Sequence, residues 1–252
     1  MAMDFTRSGN PVLGENTFRS GEMVAFGDTM SINGVINKTG FLLVLVTVGA
    51  IFPWTRYFAN PADPLVGILM LAGIFGGLVM ALVTTFKKDW APVTAPAYAL
   101  LQGLALGGIS AMFEASYPGI ALQAMALTFA TLGVMLMAYR SGLIRATEKF
   151  RMGVVAATGA IFLVYLAGFV LSFFGIQLSF LYGNSLLSIG ISGVIVVVAA
   201  LNLILDFDLI EKGVRQGAPR KFEWFAGFAL MVTLIWLYLE LLRLLSKINS
   251  RR

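Results

Sequence analysis

From Thr39 onward the chain alternates long apolar stretches with short polar connections. Each stretch runs about 17 to 25 residues, the length a helix needs to cross a hydrocarbon core about 30 Å thick. Seven can be counted, at about 39–58, 64–86, 94–114, 119–138, 153–175, 184–210 and 223–246. They are continuous and rich in Leu, Ala, Gly and Met, whereas a membrane barrel would show alternating segments of roughly ten residues. Helices, which satisfy their own backbone polar groups in lipid, are therefore expected. The predicted fold class is all-α, a multi-pass membrane protein of seven transmembrane helices occupying residues 39–248 as one domain. Residues 1–38 are polar, with mixed charges and no apolar core of a signal peptide, and read as a cytoplasmic tail.

Composition agrees with a lipid-facing body. Of 252 residues 58% are hydrophobic and only 12% charged, against roughly 25% charged in soluble domains. The chain has no Cys and no His. Disulfides, thiolate chemistry, histidine-dependent triads and histidine-ligated zinc are thereby excluded for this chain alone. No cofactor and no metal centre is expected, and no enzyme. The formal net charge of +5 does not point to nucleic acid, because the basic residues sit in short loops between apolar runs, where membrane topology explains them.

Their distribution predicts orientation. The tail carries Arg7, Arg19 and Lys38, and the loops on its side carry Lys87, Lys88, Arg140, Arg145, Lys149, Arg151, Lys212, Arg215, Arg220 and Lys221, against Arg56 alone on the other side. By the positive-inside rule the amino terminus is cytoplasmic. Seven crossings then put Lys247, Arg251 and Arg252 outside, against the rule; a re-entrant last segment is the alternative. The stretch Arg140 to Arg151, basic with interleaved Leu143, Ile144 and Phe150, could lie on an anionic membrane surface or be a solvated loop. Gly73 with Gly77, and Gly103 with Gly107, are small-xxx-small pairs that let helix backbones approach.

Ionisable groups inside the bilayer cost roughly 2.5–3.5 kcal/mol at a helix centre, so those present are functional candidates. They are Asp206, Asp208, Glu240 and Glu114. At about 100° per residue Asp206 and Asp208 point about 200° apart and cannot share a site. Asn202, Ser192, Ser188 and Ser185 fall within about 60° of Asp206, a polar stripe that predicts an inward face for it. Asp208 points away, with Lys212 four residues later in the favourable acid-then-base order. Counting from a turn near Ala218, Asp206 lies 12 residues back, Thr233 15 forward and Glu240 22 forward, so Thr233 is nearer Asp206 in depth. Glu240 shares the Thr233 face, where Arg243 and Lys247 can snorkel and pair with it. Lys87 or Lys88 could supply a counter-charge for Asp206. Glu114, beside Ser116, Tyr117 and Pro118, reads as structural; Gln102 and Tyr98, one turn apart, read as a polar contact between helices.

The segments LNLILDFDLIEKG (Leu201–Gly213) and VTLIWLYLELLRLLSKI (Val232–Ile248) resemble the carboxy-terminal signature of the Bax inhibitor-1, or transmembrane Bax inhibitor motif, family. WAPVTAPAYALLQGLALGGIS (Trp90–Ser110) and SGLIRATEKFRMGVVAATGAI (Ser141–Ile161) resemble its bacterial branch. The resemblance implies a last helix central in the bundle and a pH-sensitive calcium leak in which aspartates of the sixth and seventh helices pair. Asp206 matches the first aspartate. Alignment through LLRLL puts Thr233 at the second, and alignment on LYLE puts Glu240 there. Lys87 or Lys88 replaces a family arginine near the end of helix two. Expected partners are the lipid bilayer, calcium or another cation, and possible other membrane proteins such as a protease or stress-response complex, for which this chain would be a scaffold.

Overall fold

A computed structural model describes residues 29–251, apart from 177, 179, 180 and 182. Among these residues seven long α-helices follow one another: α1 Ile32–Ala59, α2 Pro64–Phe86, α3 Ala91–Ser116, α4 Ile120–Arg140, α5 Glu148–Ser172, α6 Leu186–Arg215 and α7 Phe222–Asn249. All seven are long and apolar enough to cross a membrane. With large apolar side chains such as Phe75, Leu122, Phe162 and Val194 standing exposed around them, the chain is an integral multi-pass membrane protein whose apolar exterior lipid covers.

Local chemistry sets the helix starts. Ser31, in an extended conformation, accepts the Gly34 backbone N–H and begins α1 seven residues before the expected Thr39. The first turns, Ile32 to Lys38, are mostly polar and carry no lipid-length apolar signal, which a capped helix does not require. The rest of the expected tail, residues 1–28, lies outside the described residues. Asp63 caps α2 by accepting from the Leu65 N–H, with Pro64 in the first-turn position that needs no donor. Thr147 caps α5. Glu114 reaches past the end of α3 and accepts from the backbone N–H groups of Gly119 (2.6 Å) and Ala121 (3.0 Å), supplying the N-terminus of α4 with an anion. Gly119 turns the chain there with φ +87.

The described residues fall into two compact units, one within Asn16–Ala121 and Ile210–Val232, the other within Leu122–Leu209 and Thr233–Arg252. In the first, α1 and α2 both pack on α3 through glycine. A Cβ on Gly49 would meet the Leu100 carbonyl at 2.6 Å, and one on Gly103 or Gly107 would collide with the carbonyls of Val46 or Ala50. A Cβ on Gly73 would stand 2.5 Å from the Leu101 carbonyl, and one on Gly77 would press on the Gln102 amide. Both predicted glycine pairs are thus sites of close helix approach. Glu223, at the start of α7, accepts from the backbone N–H and hydroxyl of Ser31 and from Lys38 Nζ at 2.7 Å, which ties the beginning of α1 to that of α7. The chain just before α1 adds a backbone bond from Met30 N–H to the Ala218 carbonyl.

The second unit holds most of the intramembrane polar groups. Its α5 is exposed along nearly its whole apolar window, whereas 78% of the corresponding window of α7 is buried, the highest share of the seven. The last helix is therefore the one least able to touch lipid. It also carries Thr233, Glu240 and Lys247, all buried.

Candidate functional site

Asp206 is wholly buried, two and a half turns before the end of α6. The Thr233 hydroxyl of α7 donates to its Oδ2 at 2.6 Å. The antiparallel register counted from the Ala218 turn thus brings Thr233, rather than Glu240, to Asp206. A hydroxyl in this place has two uses: it donates to an ionised carboxylate, and it can accept from a protonated one. Proton gain at Asp206 therefore leaves the two helices hydrogen-bonded while it removes a charge.

One turn earlier on the same face, Asn202 is also buried. Its Nδ2 donates to the Thr158 hydroxyl of α5 at 2.8 Å and to the Val198 carbonyl at 2.9 Å. The Val198 carbonyl only accepts, so it fixes the amide orientation and turns Oδ1 the other way. That oxygen is buried with no hydrogen-bond partner among the described residues. A buried acceptor without a donor costs about 1–3 kcal/mol, which makes it an inviting position for water or a cation.

The polar stripe expected along α6 is divided. Ser188 and Ser192 are buried at one end, and Asn202 and Asp206 at the other, but buried Ile195 and Ala199 lie between them on the same face. The interruption spans about 15 Å of helix between Ser192 and Asn202.

Glu240 belongs to a separate cluster. It accepts from the Tyr165 hydroxyl of α5 at 2.9 and 3.0 Å, from the Trp236 indole N–H at 3.3 Å and from Arg243 at 3.0 and 3.1 Å. Arg243 also bonds the Tyr165 oxygen and lies over its ring. Of the two basic residues expected to pair with Glu240, Arg243 does so; Lys247 instead donates to neutral oxygens of Leu181, Ser188 and Ser192.

Asp208 points away from Asp206, as helical geometry requires, and receives Arg151 Nη2 at 2.7 Å. Arg151 is almost fully buried, not a member of a solvated or membrane-surface loop, because α5 already begins at Glu148 and carries it inward. Lys87 stacks over Trp90 and Lys88 over Phe225, both in the other unit. Gln102 donates to the Tyr98 hydroxyl, and Tyr98 meets Phe228 edge to face.

Sequence reasoning missed Tyr165, Thr158 and the burial of Arg151. Each lies on α5, and the available signal was a phenol and a hydroxyl within a lipid-length apolar run, where a polar group needs a partner on another helix.

Residues 10–250 match the family described as Bax inhibitor 1 like. No curated protein matches the chain.

Proposed function

The chain belongs to the Bax inhibitor 1 like family, and from that membership we propose that it is a cation leak whose conductance follows the proton occupancy of Asp206. The observation that carries this reading is the buried Asp206–Thr233 hydrogen bond beside the partnerless Asn202 Oδ1. An ionised Asp206 offers an intramembrane negative charge to a passing cation, and a neutral one withdraws it. Thr233 holds the carboxyl in place in both states, so the switch is one of charge rather than of detachment. Asp206, Asn202 and Thr233 together present one anionic and two neutral side chains, whereas calcium takes about six to eight oxygen ligands. Water must supply the remainder, which suits passage of a partly hydrated ion better than its storage. The proposed activity is transport, not catalysis.

The side of the membrane belongs to the same proposal. Lys38, Lys87, Lys88, Arg140, Arg145, Lys149, Lys212, Arg215, Arg220 and Lys221 fall at one set of helix ends or loops and Arg56, Lys247 and Arg251 at the other, an excess that supports a cytoplasmic amino terminus; the resemblance to the family's bacterial branch makes that membrane a bacterial inner membrane. Arg151 drops out of this vote, since its guanidinium is committed to Asp208.

The test is calcium flux into proteoliposomes carrying the wild type or Asp206→Asn, measured on either side of neutral pH. Flux that depends on pH in the wild type and is equal at both pH values in Asp206→Asn is the expected result. No flux above empty liposomes from either protein would remove the leak reading in favour of a membrane scaffold for other membrane proteins, acting through the connections 141–147 and 216–221.

A further inference from the structure

Lys247, in the last turn of α7, is only 3% exposed. Its Nζ donates to the Leu181 carbonyl at 2.7 Å, the Ser188 hydroxyl at 2.8 Å and the Ser192 hydroxyl at 2.7 Å, with the Ser188 carbonyl at 3.4 Å. Every one of these acceptors is neutral. The nearest carboxylate on its own helix, Glu240 two turns back, is engaged by Arg243, Tyr165 and Trp236.

A buried ammonium normally demands a counter-ion or a helix carboxyl end. Here it stands against the first turns of α6, beginning at Leu186, where the helix dipole is positive and opposes it. What compensates is the convergence of oxygens, one carbonyl and two hydroxyls, all within 2.8 Å of the ammonium nitrogen. Such a cradle of uncharged oxygens replaces the hydration shell of a monovalent cation in the way that channel carbonyls do. The oxygen distances, 2.7–2.8 Å for the three shortest, exceed the ~2.3–2.6 Å of calcium, and the absence of an anionic ligand among them also disfavours a divalent ion.

We propose that the oxygens of Leu181, Ser188 and Ser192 form a binding site for a monovalent cation of ammonium or potassium size, occupied in this protein by the tethered ammonium of Lys247. This site lies about 21 Å along α6 from Asp206, counted from Ser192, and beyond the apolar Ile195 and Ala199. It does not depend on the leak reading.

Truncating the lysine should vacate the cradle for a free ion. The experiment follows the thermal unfolding midpoint of the purified full chain, wild type, Lys247→Ala and Lys247→Met, in ammonium, methylammonium, potassium and N-methyl-D-glucamine chlorides at equal ionic strength. Binding to the folded state alone raises the midpoint with ligand concentration. Lys247→Ala should gain several degrees, saturably, in ammonium, methylammonium or potassium relative to the bulky N-methyl-D-glucamine. Wild type, and Lys247→Met with its space filled by a neutral chain, should show no such difference. Lys247→Ser provides a second vacated cradle where the alanine variant does not yield folded protein. A midpoint for the vacated variants that is the same in all four salts, or failure of both to fold in every salt, overturns the proposal and leaves the lysine as a hydrogen-bond donor that ties α7 to Leu181 and α6.

Discussion

Thr233 on α7 donates its hydroxyl to Asp206 on α6 at 2.6 Å, across a contact from which water is excluded on the carboxylate side. The pair is unequal: one member titrates and the other does not. Its neighbours on α6 contribute an amide one turn away but no second acid, since Asp208 faces Arg151. Replacing Thr233 by Val keeps the shape and removes the donor. The expected loss is about 1.5–3 kcal/mol for a hydrogen bond to a charged group, read as a lower thermal midpoint in detergent, with a smaller loss when the same change is made in an Asp206→Asn background.

Thr233→Asp places a second carboxyl against Asp206. Two interacting acids release their protons in two macroscopic steps that belong to the pair. If Asp206 controls flux, the pH dependence of this variant in proteoliposomes should spread over a wider range than that of the wild type; an unchanged profile would separate Asp206 from the control of conductance.

Glu240 should leave the pH profile alone. It is held by Arg243, Tyr165 and Trp236 in a closed set of hydrogen bonds, so Glu240→Gln is expected to lower the thermal midpoint while the ratio of fluxes at two pH values stays at the wild-type figure. Tyr165→Phe removes one bond to the same cluster and should cost about 1 kcal/mol. A flattened pH profile in Glu240→Gln would move the sensor from Asp206 to this cluster.

The Arg151–Asp208 contact pairs a buried guanidinium with a half-buried carboxylate at 2.7 Å. Removing the guanidinium takes this close partner from the carboxylate, which costs stability. Arg151→Met should therefore lower the thermal midpoint, and adding Asp208→Leu should recover part of the loss, as measured by thermal unfolding of the single and double variants.

Two glycines inside helices should behave differently. Gly107→Ala drives a methyl into the Ala50 carbonyl and to 2.7 Å from Pro53 Cγ, so α1 must shift from α3 and the thermal midpoint should fall. At Gly133 nothing lies within 4 Å of the added Cβ. Alanine there should raise helix stability by roughly 0.5–1 kcal/mol.

The seven helices were legible because each crossing must carry its own apolar run, and α2 falls at Pro64–Phe86 as predicted. The starts of α1 and α5 were not, since Ser31 and Thr147 begin helices whose first turns are polar and hence lack the apolar signal. Asp206 stood out by the cost of its charge, and its register with Thr233 followed from counting about a short turn. The partners on α5 could not be obtained that way: Thr158 and Arg151 meet α6 across the connection 173–185, too long to count around, and Tyr165 meets Glu240 on α7, two helices on. The polar stripe was overextended for a related reason, because angle alone says which residues share a face and Ile195 and Ala199 share it too.

Thr233 brings a hydroxyl and no charge to the buried Asp206 carboxyl. Two carboxyls at this contact would repel one another when both were ionised and would need a shared proton to sit together. With threonine opposite, the seam between α6 and α7 is spared that repulsion.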